Sequence, residues 1–156
     1  MTALRHVVCP HCHTINRLPE GRDFRAARCG KCRGRLFEGR PVDLDARHFR
    51  SFLEGHDVPV LVDLWAPWCP PCRALAPVIE ELARRREPEI RVAKLDIDRA
   101  PDLAESLRVT AVPTLLLYHR GQEVARHSGL LSRAALEAWI ASHLGDGERM
   151  RRAAGS

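Results

Sequence analysis

The chain has 156 residues, 45% hydrophobic and 29% charged, with a formal net charge of +5. That length holds one ordinary domain plus a small appendage, and the apolar content supports a packed core. No apolar run approaches the roughly 20 residues that span a bilayer. The start lacks the apolar stretch and cleavage site of a secretory signal, so a cytoplasmic protein without membrane contact is expected.

Charge is unevenly placed. Residues 1–40 hold nine Arg/Lys against three acids, residues 41–145 thirteen against fifteen, and the stretch from Asp146 three against two. Only Lys31 and Lys94 are lysines, a bias that genome composition alone can produce. Charge therefore sets a low expectation of nucleic-acid binding.

Residues 1–40 are polar, turn-rich and too few to bury a sufficient core alone. They carry Cys9/Cys12 and Cys29/Cys32 in the pattern C-x2-C-x16-C-x2-C, which falls in the spacing range of zinc ribbons. In a reducing compartment, paired cysteines serve metal binding or catalysis more often than structural bridging. Four thiolates complete a tetrahedral zinc site, closed and structural, without recruiting His11 or His13. Two disulfides or a redox-responsive zinc site are the rival readings. Gly39-Arg40-Pro41 reads as a joint. The expected division is a zinc-binding module at 1–40, a second domain at 41–145 and a flexible tail at 146–156.

The second domain alternates helices and strands. Phe49, Phe52 and Leu53 lie at helical spacing within 45–53, and Gly55 can stop that helix. Residues 59–65 form an apolar run that reads as a buried strand. Residues 71–86 read as a helix with Leu75, Val78, Ile79 and Leu82 on one face and a kink expected at Pro77. A second buried strand at 90–97 and a short helix at 100–107 come next. Residues 114–118 and 124–127 flank Arg120-Gly121-Gln122 as a hairpin, and Ser132 can cap a last helix. The order β-α-β-α-β-β-α implies an α/β fold, a central mixed sheet flanked by helices.

The third pair, Trp68-Cys69-Pro70-Pro71-Cys72, lies between a buried strand and a helix. The helix N-terminus favours an anion, so Cys69 should ionise readily and attack disulfides. Cys72, one turn on, should be the more buried and should resolve the mixed disulfide. Asp63, in an apolar strand six residues before Cys69, reads either as a strand-end carboxylate or as a buried acid of raised pKa.

Val62-Asp63-Leu64-Trp65-Ala66-Pro67-Trp68-Cys69 and Pro71-Cys72-Arg73 resemble the active-site signature of the thioredoxin family. Val112-Pro113-Thr114 resembles its cis-proline loop, and Gly121 and Gly129 fall where the family places glycines. Residues 1–40, with Cys9-Pro10-His11-Cys12, Ile15-Asn16-Arg17-Leu18-Pro19 and Cys29-Gly30-Lys31-Cys32, are similar to the amino-terminal zinc module of the bacterial thioredoxin 2 subfamily. The resemblance implies a thioredoxin fold and a protein-disulfide reductase that cycles between a Cys69/Cys72 dithiol and disulfide. It implies proton exchange between Asp63 and Cys72, and an Asp63–Lys94 buried ion pair beneath Cys72. Trp68, Val112 and Pro113 would contact substrate, and Trp65 would pack beneath the loop. The implied partners are disulfide-containing proteins and an NADPH-dependent thioredoxin reductase. One zinc ion would be held by Cys9, Cys12, Cys29 and Cys32, with no flavin or nicotinamide bound and a monomeric chain.

Pro70 departs from the family, which has glycine there. It removes a backbone donor near Cys69 and stiffens the loop, so a shifted redox potential is expected without a determined sign. A binding module built on the basic segment, and an oxidant or isomerase, are the functional rivals.

Overall fold

A computed structural model describes the backbone of residues 3–155 and the side chains of residues 3–144. The amino-terminal segment opens with β1 (Leu4–Val8) and β2 (Ile15–Pro19), an antiparallel pair. A 3-10 turn at Phe24–Ala26 comes after them, capped by Asp23, whose carboxylate accepts from the Arg25 N–H at 3.0 Å. The polar composition concealed this hairpin. Its pattern carries little alternation, because only Val7 and Val8 among its ten residues are buried.

The second unit contains β3 (Val42–Leu44), α1 (Phe49–Glu54), β4 (Val60–Trp65), α2 (Pro70–Arg86), β5 (Arg91–Asp96), α3 (Pro101–Ser106), β6 (Thr114–His119), β7 (Gln122–Ser128) and α4 (Arg133–Gly155). The sheet order is β3-β5-β4-β6-β7. Strands β3, β5 and β4 run parallel, while β6 and β7 are antiparallel to their neighbours. The sheet is therefore mixed, as the order of elements predicts. Strand β3 is an addition to that expectation, too short at three residues to show a period. Helix α2 starts at Pro70, one residue earlier than predicted, and runs uninterrupted past Pro77. Ser132 caps α4 as expected: its hydroxyl accepts from the Ala135 N–H at 3.1 Å. The backbone of α4 continues as helix through most of 146–156, the stretch expected to fray, and the side chains there lie outside the described residues.

Alternation along the strands sends side chains to two cores. Val60, Val62 and Leu64 of β4 pack with Phe49, Phe52 and Leu53 of α1 and Leu103 of α3. Leu61 points the other way, with Leu75, Ile79 and Leu82 of α2 and Leu136, Ile140 and Leu144 of α4. Asp63 shares the parity of Leu61, so a carboxyl group replaces an aliphatic side chain on the face that α2 and α4 cover. The β6–β7 turn uses positive φ at Arg120 (53°) and Gly121 (80°), the combination that joins twisted antiparallel strands.

The amino-terminal segment packs on the second unit. Val8 joins the core of Phe49 and Phe52. It sits so close to Gly55 that a Cβ there would lie 2.5 Å from Val8 Cγ2 and 3.0 Å from the Ser51 carbonyl oxygen. Gly55 is needed for this approach; its φ of −81° is one that any residue adopts. Among the described residues, no helix is long and apolar enough to cross a membrane.

Gly55→Ala should therefore destabilise the protein by about 1–3 kcal/mol through overpacking. Urea unfolding monitored by tryptophan fluorescence would read the loss, and an unchanged midpoint would contradict the close approach.

Candidate active site and metal centre

Strand β4 ends at Trp65 and the chain turns through Ala66-Pro67-Trp68 into α2. Cys69 is the N-cap residue, with extended backbone at φ −99° and ψ 106°. Its Sγ accepts from the Cys72 N–H at 3.2 Å. Pro70 and Pro71 occupy the first two helical positions and have no N–H, so Cys72 supplies the first free donor of the helix. Proline suits that position because its φ is already helical. Cys69 and Cys72 are joined as a disulfide, with Cα atoms 5.3 Å apart.

Burial of the two cysteines departs from expectation. Cys69 is 2% and Cys72 3% exposed, so the resolving position is not the more buried one. Both sulfurs sit in one small apolar cluster with Ala66, flanked by Trp65, Ile97 and Val112. The Cys69 sulfur lies 3.6 Å from the Val112 carbonyl oxygen. The Val112–Pro113 peptide is cis, as the family resemblance implies. The Pro113 carbonyl accepts from the Gly129 N–H at 2.9 Å, and the Thr114 hydroxyl donates to the Ala111 carbonyl at 2.6 Å. These bonds fix the proline loop against the cysteines.

The two tryptophans differ. Trp68 is 62% exposed and its indole N–H donates to Asp98 Oδ1 at 3.2 Å. Trp65 is half-buried beneath the loop, with its Nε1 buried and without a protein partner. Arg73 directly follows the second cysteine of the pair. Its guanidinium donates to the Pro67 carbonyl at 2.8 Å and ties α2 to the loop before the cysteines.

Asp63 is fully buried, and neither carboxyl oxygen has a hydrogen-bond partner. Burial pushes its pKa from 3.8 up to about 7, against a smaller downward pull from the Lys94 charge. The expected Asp63–Lys94 contact pair is corrected. The residues are register partners on β4 and β5, yet the Lys94 ammonium lies over the Trp65 ring, 4.7 Å from its centroid. A cation on an aromatic face keeps an attractive partner without entering the core. Lys94 acts on Asp63 only at a distance.

The other four cysteines converge. The Sγ atoms of Cys9, Cys12, Cys29 and Cys32 all lie within 4.8 Å of one another. Cys9–Cys32 measures 3.6 Å and Cys12–Cys29 3.5 Å. A tetrahedral ion with metal–sulfur bonds of about 2.3 Å needs sulfur–sulfur edges of about 3.8 Å. The cluster fits such an ion.

The two halves of the cluster repeat one local structure. The N–H groups of His11 and Lys31 each donate to the first sulfur of their pair at 3.4 Å. His13 and Arg33 each donate their N–H to the first cysteine's carbonyl at 3.0 Å and adopt positive φ, 64° and 66°. Cys9 and Cys29 accordingly donate to Thr14 and Gly34 carbonyls at 2.9 and 2.8 Å. Asn16 braces the second half, its side chain accepting from the Gly30 N–H at 2.9 Å and donating to the Cys29 sulfur at 3.5 Å. Burial lifts the Cys9 thiol to about 12. At Cys29 burial also works upward, but hydrogen bonds from the Cys32 backbone, Asn16 and the Lys31 N–H outweigh it and bring the thiol to about 6. His11 is directed elsewhere, its Nε2 2.6 Å from Glu38 Oε1, and His13 stacks on His48 at 3.7 Å. Neither histidine joins the four sulfurs.

A thioredoxin family profile matches residues 40–142, two thirds of the chain. The chain belongs to the thioredoxin family. A second profile, for the amino-terminal zinc ribbon of thioredoxin 2, matches residues 8–34. Thioredoxin C-3 of Corynebacterium nephridii is 37% identical over 138 residues, covering 88% of this chain and 94% of that protein. A thioredoxin of Mycobacterium bovis is 50% identical over 78 residues, covering 50% of this chain and 67% of that protein. The bifunctional thioredoxin reductase/thioredoxin of Mycobacterium leprae is 45% identical over 92 residues, covering 59% of this chain and 20% of that protein. The fold is thus a thioredoxin fold with a small zinc-ribbon-like module before it, and the activity class is thiol–disulfide oxidoreductase.

The raised Asp63 pKa makes a signed stability prediction. Below pH 4 the carboxyl is protonated in both folded and unfolded chains. As pH rises through about 7, the folded protein must release a proton that the unfolded chain has already lost. Stability on the order of 4 kcal/mol is lost over that interval. Asp63→Asn in the oxidised protein should therefore gain stability over the wild type, and the gain should be larger at pH 8 than at pH 5. Equal gains in urea unfolding at the two pH values would refute a buried, raised carboxyl.

Proposed function

We propose that this protein reduces protein disulfides through Cys69 and Cys72, in a reducing compartment such as the cytoplasm. The observation that carries the reading is the Cys69–Cys72 bond at the head of α2, beside the cis Val112–Pro113 peptide. The Cys69 thiolate attacks one sulfur of a substrate disulfide, forms the mixed disulfide and expels the other sulfur as a thiolate. The Cys72 thiolate then attacks Cys69 Sγ, closes the internal disulfide and expels the second substrate thiolate. Two electrons pass to the substrate and two protons accompany them. Asp63 takes the Cys72 proton as that thiol ionises, a role its burial on the α2 face supports. Trp68 and the Val112 backbone receive an extended substrate segment, while Trp65, Pro70, Pro71 and Lys94 shape the site. Thioredoxin reductase, drawing on NADPH, returns two electrons to the disulfide. The bifunctional mycobacterial relative supports that pairing.

We further propose that Cys9, Cys12, Cys29 and Cys32 hold one zinc ion. When bound it supplies cross-linking and charge compensation to a segment whose own core is small, with Val7, Leu36 and Phe37 packed around Cys9 and Cys29. Four sulfurs complete the shell, so the site is structural. In this reading residues 1–40 form the metal module and residues 41–145 the redox domain.

NADPH-coupled insulin reduction with thioredoxin reductase tests the main reading. Wild type should turn over, and Cys69→Ser should lose activity by several orders of magnitude. Cys72→Ser should accumulate a mixed disulfide that mass spectrometry detects. Turnover surviving in Cys69→Ser would defeat the assignment. Pro70→Gly, equilibrated against glutathione, should shift the redox potential; an identical potential would remove Pro70 as the tuning residue.

A further inference from the structure

Arg91 opens β5 at the end of the sheet remote from the redox cysteines. Parallel register pairs Arg91 with Val60 and Asp96 with Trp65, so about 16 Å of strand separates Arg91 from the catalytic end. Its side chain is 1% exposed, an unusual place for a guanidinium. The nearest carboxylate oxygen, on Glu87, is 3.7 Å away. Most of the side chain's partners are of other kinds. Nη2 donates to the Leu36 carbonyl at 2.6 Å and to the Val8 carbonyl at 3.4 Å. Nε donates to His56 Nε2 at 3.2 Å. The guanidinium carbon lies 4.1 Å from the Phe37 ring centroid and 5.9 Å from that of Phe52.

These partners divide between the two units. Val8, Leu36 and Phe37 come from the cysteine-bearing module; His56, Phe52 and Glu87 come from the thioredoxin domain. On the domain side the cage is preformed. His56 Nδ1 donates to the Phe52 carbonyl at 2.7 Å, which leaves Nε2 as an acceptor and the ring neutral. On the module side it depends on the fold around the four cysteines. Val8 directly precedes Cys9, and Leu36 comes four residues after Cys32. The Leu36 N–H donates to the Ala27 carbonyl at 3.1 Å, just before the Arg28–Arg35 bridge and Cys29. Both carbonyls are held in place only while the segment around the four sulfurs is folded.

Other contacts cross the junction: Val8 packs, buried, into the core of Phe49 and Phe52, while the other polar contacts are partly solvated. His6 meets Asp57 with side chains 45% and 27% exposed, and exposed pairs of this kind contribute little. Arg91 is a fully buried polar link across it. Losing one side of a buried, hydrogen-bonded guanidinium is costly, because the charge must be rehydrated or left unpaired.

We propose that Arg91 couples metal binding at the four cysteines to the stability of the thioredoxin domain, so that the two units unfold together while the ion is held. The inference rests on the zinc reading above. Linkage makes it reciprocal: whatever stability the ion lends the domain, the folded domain returns as affinity for the ion.

The three tryptophans, Trp65, Trp68 and Trp139, all lie beyond residue 40, so their fluorescence reports the thioredoxin domain alone. Full-length wild type is first assayed for zinc content. It is then unfolded in urea, zinc-loaded and chelator-stripped under reducing conditions, while a chromogenic chelator tracks zinc release. Release and the tryptophan transition should coincide in the loaded protein, and stripping should lower the tryptophan midpoint. Arg91→Met keeps all four thiols and should still load one zinc. Its zinc dissociation constant should rise about tenfold, its zinc release should precede the tryptophan transition, and its midpoint shift on stripping should fall below half that of wild type. Comparing loaded with stripped protein within each variant cancels the direct cost of the substitution. Arg91→Lys, which keeps the charge but cannot span all three acceptors, reads the same quantity if the methionine variant does not fold. Should neither fold, the wild-type comparison decides. Wild type that binds zinc but shows no midpoint shift would overturn the coupling, as would a variant that keeps the full shift. Wild type that binds no zinc would overturn the metal reading, and the coupling with it.

Discussion

Strand β4 and its two registers govern the catalytic half of the molecule. It is the central strand, hydrogen-bonded in parallel to β5 and antiparallel to β6, and five of its six residues are buried. Pairing with β5 sets Asp63 opposite Lys94 and Trp65 opposite Asp96. Pairing with β6 sets Leu64 opposite Thr114, which brings the Val112–Pro113 peptide to the strand's end. From that end the chain turns into α2 at Cys69. A slip of one residue would turn Asp63 onto the α1 face and bring hydrophobic side chains into its place. Core packing on both faces therefore fixes the carboxyl, the cysteines and the proline loop with the same interactions.

The same Cys-x-x-Cys spacing has two outcomes, and the path of the backbone after the second cysteine separates them. After Cys12 and Cys32 the chain reverses through His13 and Arg33 at positive φ, and backbone donors are aimed at the first sulfur of each pair. Such a turn presents two sulfurs outward, toward a second pair. After Cys72 the backbone continues as helix for fourteen residues, to Arg86. Two prolines remove the donors that would otherwise surround Cys69, leaving the Cys72 N–H. The sulfurs then face each other, and the pair can close and reopen instead of gathering an ion.

Much of this was legible in the sequence. The long amphipathic helix α2, the two buried central strands and the β6–β7 hairpin carry strong periods or turn residues, and they appear within a residue or two of expectation. The four-sulfur cluster is implied by spacing, and the redox pair by its place between strand and helix. The features that escaped have physical causes. Strands β1, β2 and β3 are short and mostly solvated, so no alternation marks them. The greater burial expected of Cys72 failed because helix position does not determine cover; Val112 and Ile97, distant in sequence, close over Cys69 as well. The Asp63–Lys94 pair failed for a similar reason. Register was inferable, but a flexible lysine selects among partners in three dimensions, and the Trp65 face lay within reach. Asn16 and Arg73 were visible only as members of motifs, since their bonds to Cys29, Gly30 and Pro67 are tertiary.

Arg91 was the least legible residue, because an arginine opening an apolar strand reads as a charge at a sheet edge. Its burial becomes intelligible only with the module in place. The carbonyls of Val8, just before Cys9, and Leu36, four residues after Cys32, need donors that β1 and β2 do not supply, and Nη2 of the guanidinium reaches both while Nε holds His56 and the planar group lies against Phe37. Lysine at this position would carry the charge without the geometry. The opposite end of the same strand reaches the redox loop through Asp96 and the turn after it. Strand β5 thus carries the structural junction at its start and borders the chemistry at its finish. The amino-terminal module can be anchored tightly to the domain at one end of this strand while Trp68, near the other, stays exposed.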